Sequence, residues 1–129
     1  MRGMSIERGA EFAEFWTERH LCTLSTVRPN GTPHVVPVGV TLDLEAGVAR
    51  IITDGGSWKV KHVRRAGYAA VCQVDGRRWS TVEGPAVVRE DTASVDEAVR
   101  RYALRYRQPR VNPTRVVIEI QVRRVSGTV

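Results

Sequence analysis

Turn signals at close spacing divide most of this chain into short apolar runs, and that spacing limits what it can fold into. Pro29-Asn30-Gly31 separates a run at residues 21–27 from one at 34–42. Proline presets one φ there, and Asn-Gly tolerates φ above zero. Residues 43–47 turn the chain into the run 48–53, and Asp75-Gly76 is a two-residue hairpin signal between 68–74 and 78–89. In the last run Val116, Ile118, Ile120 and Val122 alternate with Val117, Glu119, Gln121 and Arg123, the pattern of a half-buried strand. Strands joined by tight turns are antiparallel neighbours, and helical crossovers are too few for a βαβ sheet. The reading is a mainly β (α+β) fold: about six antiparallel strands in a sheet that closes or nearly closes, with three helices over its openings.

Two strands carry interruptions. Gly84-Pro85 breaks the run 78–89, and Pro37 with Gly39 disturbs 34–42. Proline removes a ladder donor and glycine often marks a bulge or a close backbone approach. The second interruption reads either as an edge strand with a barrel bend or as backbone freed for something other than a neighbouring strand. The first helix is expected over 5–20, with Ser5 as cap, Glu7 in the first turn, and Ile6, Ala10, Ala13 and Trp16 as its buried stripe, widened by Phe12 and Phe15. Arg8 replaces the acid of a capping box and Gly9 weakens the first turns, which favours a later start. The third helix, 92–106, has an apolar face of Val95, Ala98 or Val99, Tyr102 and Tyr106. Arg100, Arg101, Arg105 and Arg107 make the rest basic. An irregular link with Pro109 and Pro113 follows.

A length of 129 residues predicts one domain, 1–129. With 42% apolar and 26% charged residues it is an ordinary globular composition. No apolar run approaches the ~20 residues of a membrane span, and no signal-peptide core is present, so the expected location is the cytoplasm. A net charge of +6 and a pI near 10.1 attract anions. Nucleic acid is not the expected partner, since aromatics are only 6% and no nucleic-acid motif occurs. Cys22 and Cys72 each lie in an apolar run and read as buried free thiols in a reducing compartment. His20, His34 and His62 lack metal-ligand spacing, so no metal site is expected. No G-x-S-x-G occurs and no side chain declares itself catalytic, which suits an enzyme whose reactive group is a cofactor.

The stretch that would bind one is 51–65. An apolar strand end runs into Thr53-Asp54-Gly55-Gly56, Ser57 is a good N-cap, and a basic helix with Lys59, Lys61 and Trp58 follows, closing at Gly67. A helix start presents unpaired N–H groups and the positive end of its dipole, so this is a candidate phosphate or carboxylate cradle. It matches neither the G-x-x-x-x-G-K-[ST] nor the G-x-G-x-x-G pattern, and a capped surface helix with solvated lysines is the alternative.

The order of these pieces resembles the flavin/deazaflavin oxidoreductase superfamily, whose split β-barrel, like that of FMN-binding proteins, is shared with pyridoxamine 5′-phosphate oxidases. The resemblance spans the chain. It is carried by residues 18–26, 33–39 and 50–65, by Val74-Asp75-Gly76-Arg77-Arg78-Trp79, and by Arg105-Tyr106-Arg107-Gln108-Pro109-Arg110. Within the superfamily it is most similar to the branch using the deazaflavin coenzyme F420. The resemblance implies a homodimer with cofactor at the interface, and hydride transfer from reduced F420 to a conjugated anionic acceptor, with biliverdin reduced to bilirubin as the first expectation. It implies that Thr53, Gly55, Ser57, Trp58, Lys59 and Lys61 surround the cofactor phosphate and that Val36, Pro37, Val38 and Gly39 lie against its ring. Arg78 and Trp79 would approach from the partner subunit or the pocket wall. Arg101, Arg105 and Arg110 would meet carboxylates of a polyglutamate tail or a tetrapyrrole. Trp58 and His62 are departures that alter the pocket's shape. The alternatives on the same barrel are an FMN-dependent enzyme and a non-catalytic carrier of cofactor or haem.

Overall fold

The computed structural model describes residues 5–129, so the first four positions of the expected domain, 1–129, lie outside it. The elements in chain order are α1 (Ala10–Phe15), β1 (Cys22–Val27), β2 (Pro33–Val38), β3 (Thr41–Asp43), β4 (Val48–Asp54), α2 (Trp58–Ala66), β5 (Tyr68–Asp75), β6 (Arg78–Arg89), α3 (Thr92–Arg105), β7 (Arg115–Gln121) and β8 (Arg124–Gly127). The strands follow the path β2-β1-β5-β6-β7-β4-β3, with β8 beside β6. Every pairing is antiparallel. The path's two ends, β2 and β3, are joined in the chain by Gly39 and Val40 alone. The sheet therefore curls until its edges meet through covalent chain instead of a ladder, and this is the split barrel.

There are two more strands than expected. The run 34–42 divides at Gly39-Val40 into β2 and β3, as Pro37 and Gly39 foreshadow. β2 is an edge strand paired only with β1, where proline's missing donor is tolerated. β8 is too short and polar to show in a hydrophobic pattern. The expected break at Gly84-Pro85 does not occur: β6 is continuous and changes partners there. Arg78 to Pro85 pair with β5, whereas Ala86 to Arg89 pair with β7. Gly84 makes the exchange possible, because a Cβ on it would lie 1.8 Å from the carbonyl oxygen of Gln121. The β5–β6 turn is one residue later than expected, at Gly76-Arg77, with Gly76 at φ 63°.

Inside the barrel lie Leu24, Val40, Ile51, Val71, Val82, Ile118 and Ile120, all fully buried. Burial of such side chains is worth roughly 1.5–3 kcal/mol each. The first helix is shorter than expected. Gly9, at φ 90°, stands immediately before it, and Ser5 does not cap it. The large rings decide which face packs: Phe12, Phe15 and Trp16 are buried, while Ala10 is exposed. Trp16 Nε1 donates to buried Ser80 Oγ at 3.1 Å. The two thiols also differ. Cys22 pairs with Gln73 and Thr23 with Cys72, so strand alternation puts the sulfurs on opposite faces. Cys22 is buried, and burial pushes its thiol up to about 11. Cys72 is only half-buried, not buried as expected, and both are free.

Candidate functional site

The β4–α2 turn and the β2–β3 break form two walls of one cavity. Ile52 and Thr53 leave the barrel at the end of β4, and Asp54 begins the turn. The Asp54 carboxylate accepts from Gly56 N–H at 2.8 Å and from the Thr114 hydroxyl. Those bonds, Thr114's first, hold the Asp54 carboxyl below the usual carboxylate range. Gly55 is close against its own chain, since a Cβ there would lie 3.1 Å from the Thr114 carbonyl oxygen. The glycine pair thus lets the turn fold onto the start of β7. Ser57 occupies the N-cap position without a side-chain cap bond, its Oγ 3.4 Å from Thr53 Oγ1. The first-turn N–H groups of α2 have no intrahelical acceptors. The helix is anchored by Val60, His62 and Val63, which are buried, and is closed by Gly67 at φ 68°.

The cavity, of ≈ 260 Å³, is bordered by Pro37, Val38 and Gly39 on one side and by Ile52, Thr53, Asp54 and Lys59 on the other; Tyr102, Pro109, Asn112 and Arg115 complete it. Burial lowers the Lys59 pKa from the ordinary lysine value, against the opposing pull of Asp54. The cavity therefore has an apolar, proline-lined side and a cationic end that meets a helix N-terminus. That combination suits a molecule with an apolar portion and a phosphate or carboxylate. A neighbouring hollow of ≈ 360 Å³ shares Pro109, Asn112 and Arg115 and adds Arg110.

Of the residues singled out in the sequence, the structure brings Pro37, Val38, Gly39, Thr53 and Lys59 to this cavity, with Gly55 and Ser57 in the turn beside it. Val36 packs against the core. Trp58 and Lys61 face outward from α2, the Lys61 Nζ 4.3 Å above the indole centre. Behind them His62 is buried, its Nδ1 3.0 Å from Thr26 Oγ1. Arg78 and Trp79 lie at the β5–β6 hairpin, away from the cavity in this chain. Arg78 grips Glu18 through two bonds of 3.0 and 2.9 Å and also reaches Asp75, and the guanidinium pulls Glu18 down to about 2. Glu18, His20 and Asp75 bring ligating atoms within 4.8 Å of one another, but no ion is needed to hold them because Arg78 bridges the two acids. Arg101 pairs with Asp43 at 3.1 Å beside a separate ≈ 190 Å³ hollow on another face of α3. Arg105 is turned inward, donating to the carbonyls of Glu18 and Val40 and to Gln73 Oε1. Arg110 lines the neighbouring hollow that shares Pro109, Asn112 and Arg115 with the cavity.

Sequence reasoning missed Asp54, Tyr102, Asn112 and Arg115 as cavity residues. Arg115 carries no local signal; the β4–β7 register sets it opposite Asp54. Tyr102 was legible only as part of the apolar face of α3.

The model of the family described as pyridoxamine 5′-phosphate oxidase matches residues 9–128. A Mycobacterium tuberculosis protein named F420H2-dependent biliverdin reductase is 52% identical over 114 residues, covering 88% of this chain and 83% of that protein. Among solved structures, a conserved hypothetical protein of the same organism superposes with a TM-score of 0.80 at 23% identity, over 98% of this chain and 88% of that one. An F420 reductase superposes with a TM-score of 0.74 at 22% identity, over 94% and 98% of the respective chains. These two structural likenesses establish the fold.

Proposed function

The chain belongs to the pyridoxamine 5′-phosphate oxidase family, and from that premise we propose that it is an F420-dependent reductase whose acceptor is biliverdin, reduced to bilirubin. The observation that carries this reading is the 52% identity to a protein named for that reaction, extending over 88% of the chain. The cavity supports it through the chemistry of its lining. Lys59, Arg115, Asn112 and the free N–H groups at the start of α2 would hold the phosphate. Pro37, Val38 and Gly39 would cover the ring and keep water from it. Bound reduced F420 supplies the hydride. The residues of this chain would position it: fixed orientation converts an encounter into an intramolecular step. Arg110, beside the cavity, would meet an acceptor or tail carboxylate.

A homodimer is part of the same proposal. At ≈ 260 Å³ the cavity of one chain is smaller than the ~300–1,000 Å³ of ordinary small-molecule sites. The outward side of β2, β1, β5 and the first half of β6 also leaves Val35, Val74 and Trp79 exposed. A second copy on that face would bring its hairpin residues Arg78 and Trp79 toward a shared site. The free thiols Cys22 and Cys72 support a reducing, cytoplasmic setting.

The test is a fluorescence titration of the purified protein with oxidised F420 and, separately, with FMN, followed by turnover of biliverdin with reduced F420. Saturable F420 binding with much weaker FMN binding, and formation of bilirubin, are expected. Preference for FMN moves the protein to the flavin side of its family. Absence of binding by either below ~100 μM, about −5.5 kcal/mol, defeats the cofactor-enzyme reading.

A further inference from the structure

The backbone between β2 and β3 leaves the ladder at Val40, and a buried residue there must have its N–H and C=O paired elsewhere. Val40 is fully buried. Its N–H donates to the Tyr106 hydroxyl at 3.1 Å, and its C=O accepts from Arg105. The same Tyr106 hydroxyl donates to the carbonyl of His20 at 2.7 Å. One phenol thus ties the end of α3 to the strand break and to the segment leading into β1. The ring takes part as well. Tyr102 and Tyr106 lie 4.9 Å apart, centre to centre, and both press on Gly39: a Cβ there would stand 2.8 Å from Tyr102 Cε2 and 3.2 Å from Tyr106 Cε2. Gly39 in turn borders the cavity. The strand break is therefore shaped by α3, a helix that begins more than fifty residues further along the chain.

We propose that Tyr106 is a positioning residue for the bound cofactor: by taking the Val40 N–H and packing on Gly39 it fixes the wall against which the cofactor ring rests. The inference rests on the proposed cofactor reading and adds to it a residue that does not line the cavity. Its mechanism is indirect. Without the hydroxyl, the buried Val40 N–H is unpaired, and the chain at 39–40 relaxes to find another acceptor, moving the wall.

The experiment compares the full-length wild type with Tyr106→Phe, which keeps the ring and removes the hydroxyl, and with Gly39→Ala, which presses on the same contact from the other side. The readouts are the Kd for oxidised F420, the split between kcat and acceptor KM, and the thermal midpoint. Tyr106→Phe raises Kd about ten-fold, and kcat falls while the KM for the acceptor changes little. Gly39→Ala acts in the same direction, and the double variant shows less than the product of the two effects because both act on one wall. A folded Tyr106→Phe protein whose Kd and kcat stay within two-fold of wild type, even with a lowered midpoint, overturns the proposal and leaves Tyr106 a purely stabilising residue. Where Tyr106→Phe does not fold, the Kd of Gly39→Ala decides by the same criterion. A wild type that binds neither F420 nor FMN defeats the cofactor reading and this inference with it, an outcome distinct from equal binding by wild type and variants.

Discussion

Gly84→Ala isolates the point on which the split barrel turns. Just beyond this residue, between Pro85 and Ala86, β6 ends its pairing with β5 and begins its pairing with β7. A Cβ would lie 1.8 Å from Gln121 O, 3.0 Å from Gln121 C and 3.1 Å from Arg123 N. All three atoms are backbone, held by the β7 ladder and by the Arg123 N–H bond to Glu83 O at 2.9 Å. No side chain can swing aside, so the two strands must separate. Overpacking usually destabilises by about 1–3 kcal/mol, and a contact this short on immobile atoms belongs at the upper end, ~3 kcal/mol. Unfolding entropy of about 2.1 cal/mol/K per residue over 129 residues makes each kcal/mol worth roughly 4 °C. The expected fall in Tm is therefore about 10 °C by differential scanning calorimetry. Gly31→Ala is the control: Gly31 has φ 87° but nothing within 4 Å of a built Cβ, so only backbone strain of about 1–2 kcal/mol applies. A Gly84→Ala midpoint within 2 °C of wild type, or no lower than that of Gly31→Ala, refutes the close approach of β6 to β7.

Lys59→Gln removes the cation at the start of α2 while keeping a polar end on a side chain one atom shorter. F420 affinity should fall about ten-fold at low salt, with a smaller loss at high salt as screening grows, and titration at two ionic strengths checks this. Acid stability follows Glu18, whose pKa Arg78 depresses from 4.5 to about 2. A depressed carboxyl contributes stability that is complete above the unfolded value and lost as pH falls through the folded one. Glu18→Gln should therefore lower Tm at pH 7 and converge with wild type between pH 4.5 and about 2; parallel curves would contradict it. His62 works in the same sense from a different cause. Burial first, then the nearby charge of His34, Arg65 and Arg28, lowers its pKa from 6.5, so stability falls as pH drops below that value. His62→Gln should flatten the Tm–pH curve there, and an unchanged slope would show that another group titrates.

Much of the fold was legible because its signals are local. Asn30-Gly31 and the glycine at 76 mark turns by their φ requirement, and Val116, Ile118 and Ile120 mark a strand by period two, although Val117, expected on its open side, is buried as well. Gly9 allowed the late start of α1, and Gly67 gave the end of α2. Where local signals compete, the sequence was less informative. Gly84-Pro85 reads as a break in any single strand, and only the presence of β7 alongside makes it an exchange of partners. Ala10 fits the helical stripe as well as Phe12 does, yet the larger rings take the interior.

For the site, local sequence carries the ingredients: a strand end, a small turn and a basic helix start around Lys59, and an edge strand weakened at Pro37 and Gly39. Their meeting across one cavity was decided by tertiary structure. The destinations of the arginines were decided there too. Arg78, Arg101 and Arg105 look alike as exposed cations in a basic chain, but Arg78 is taken by Glu18 and Asp75, Arg101 by Asp43, and Arg105 by buried carbonyls. A guanidinium's partner is whichever acid or orphaned carbonyl the fold brings within 3 Å or so, and that distance has no trace in sequence separation. The pairing of Tyr106 with Val40 is the same case: the strand break needs a donor and an acceptor, and only the packing of α3 against β3 and β4 says which residue supplies them.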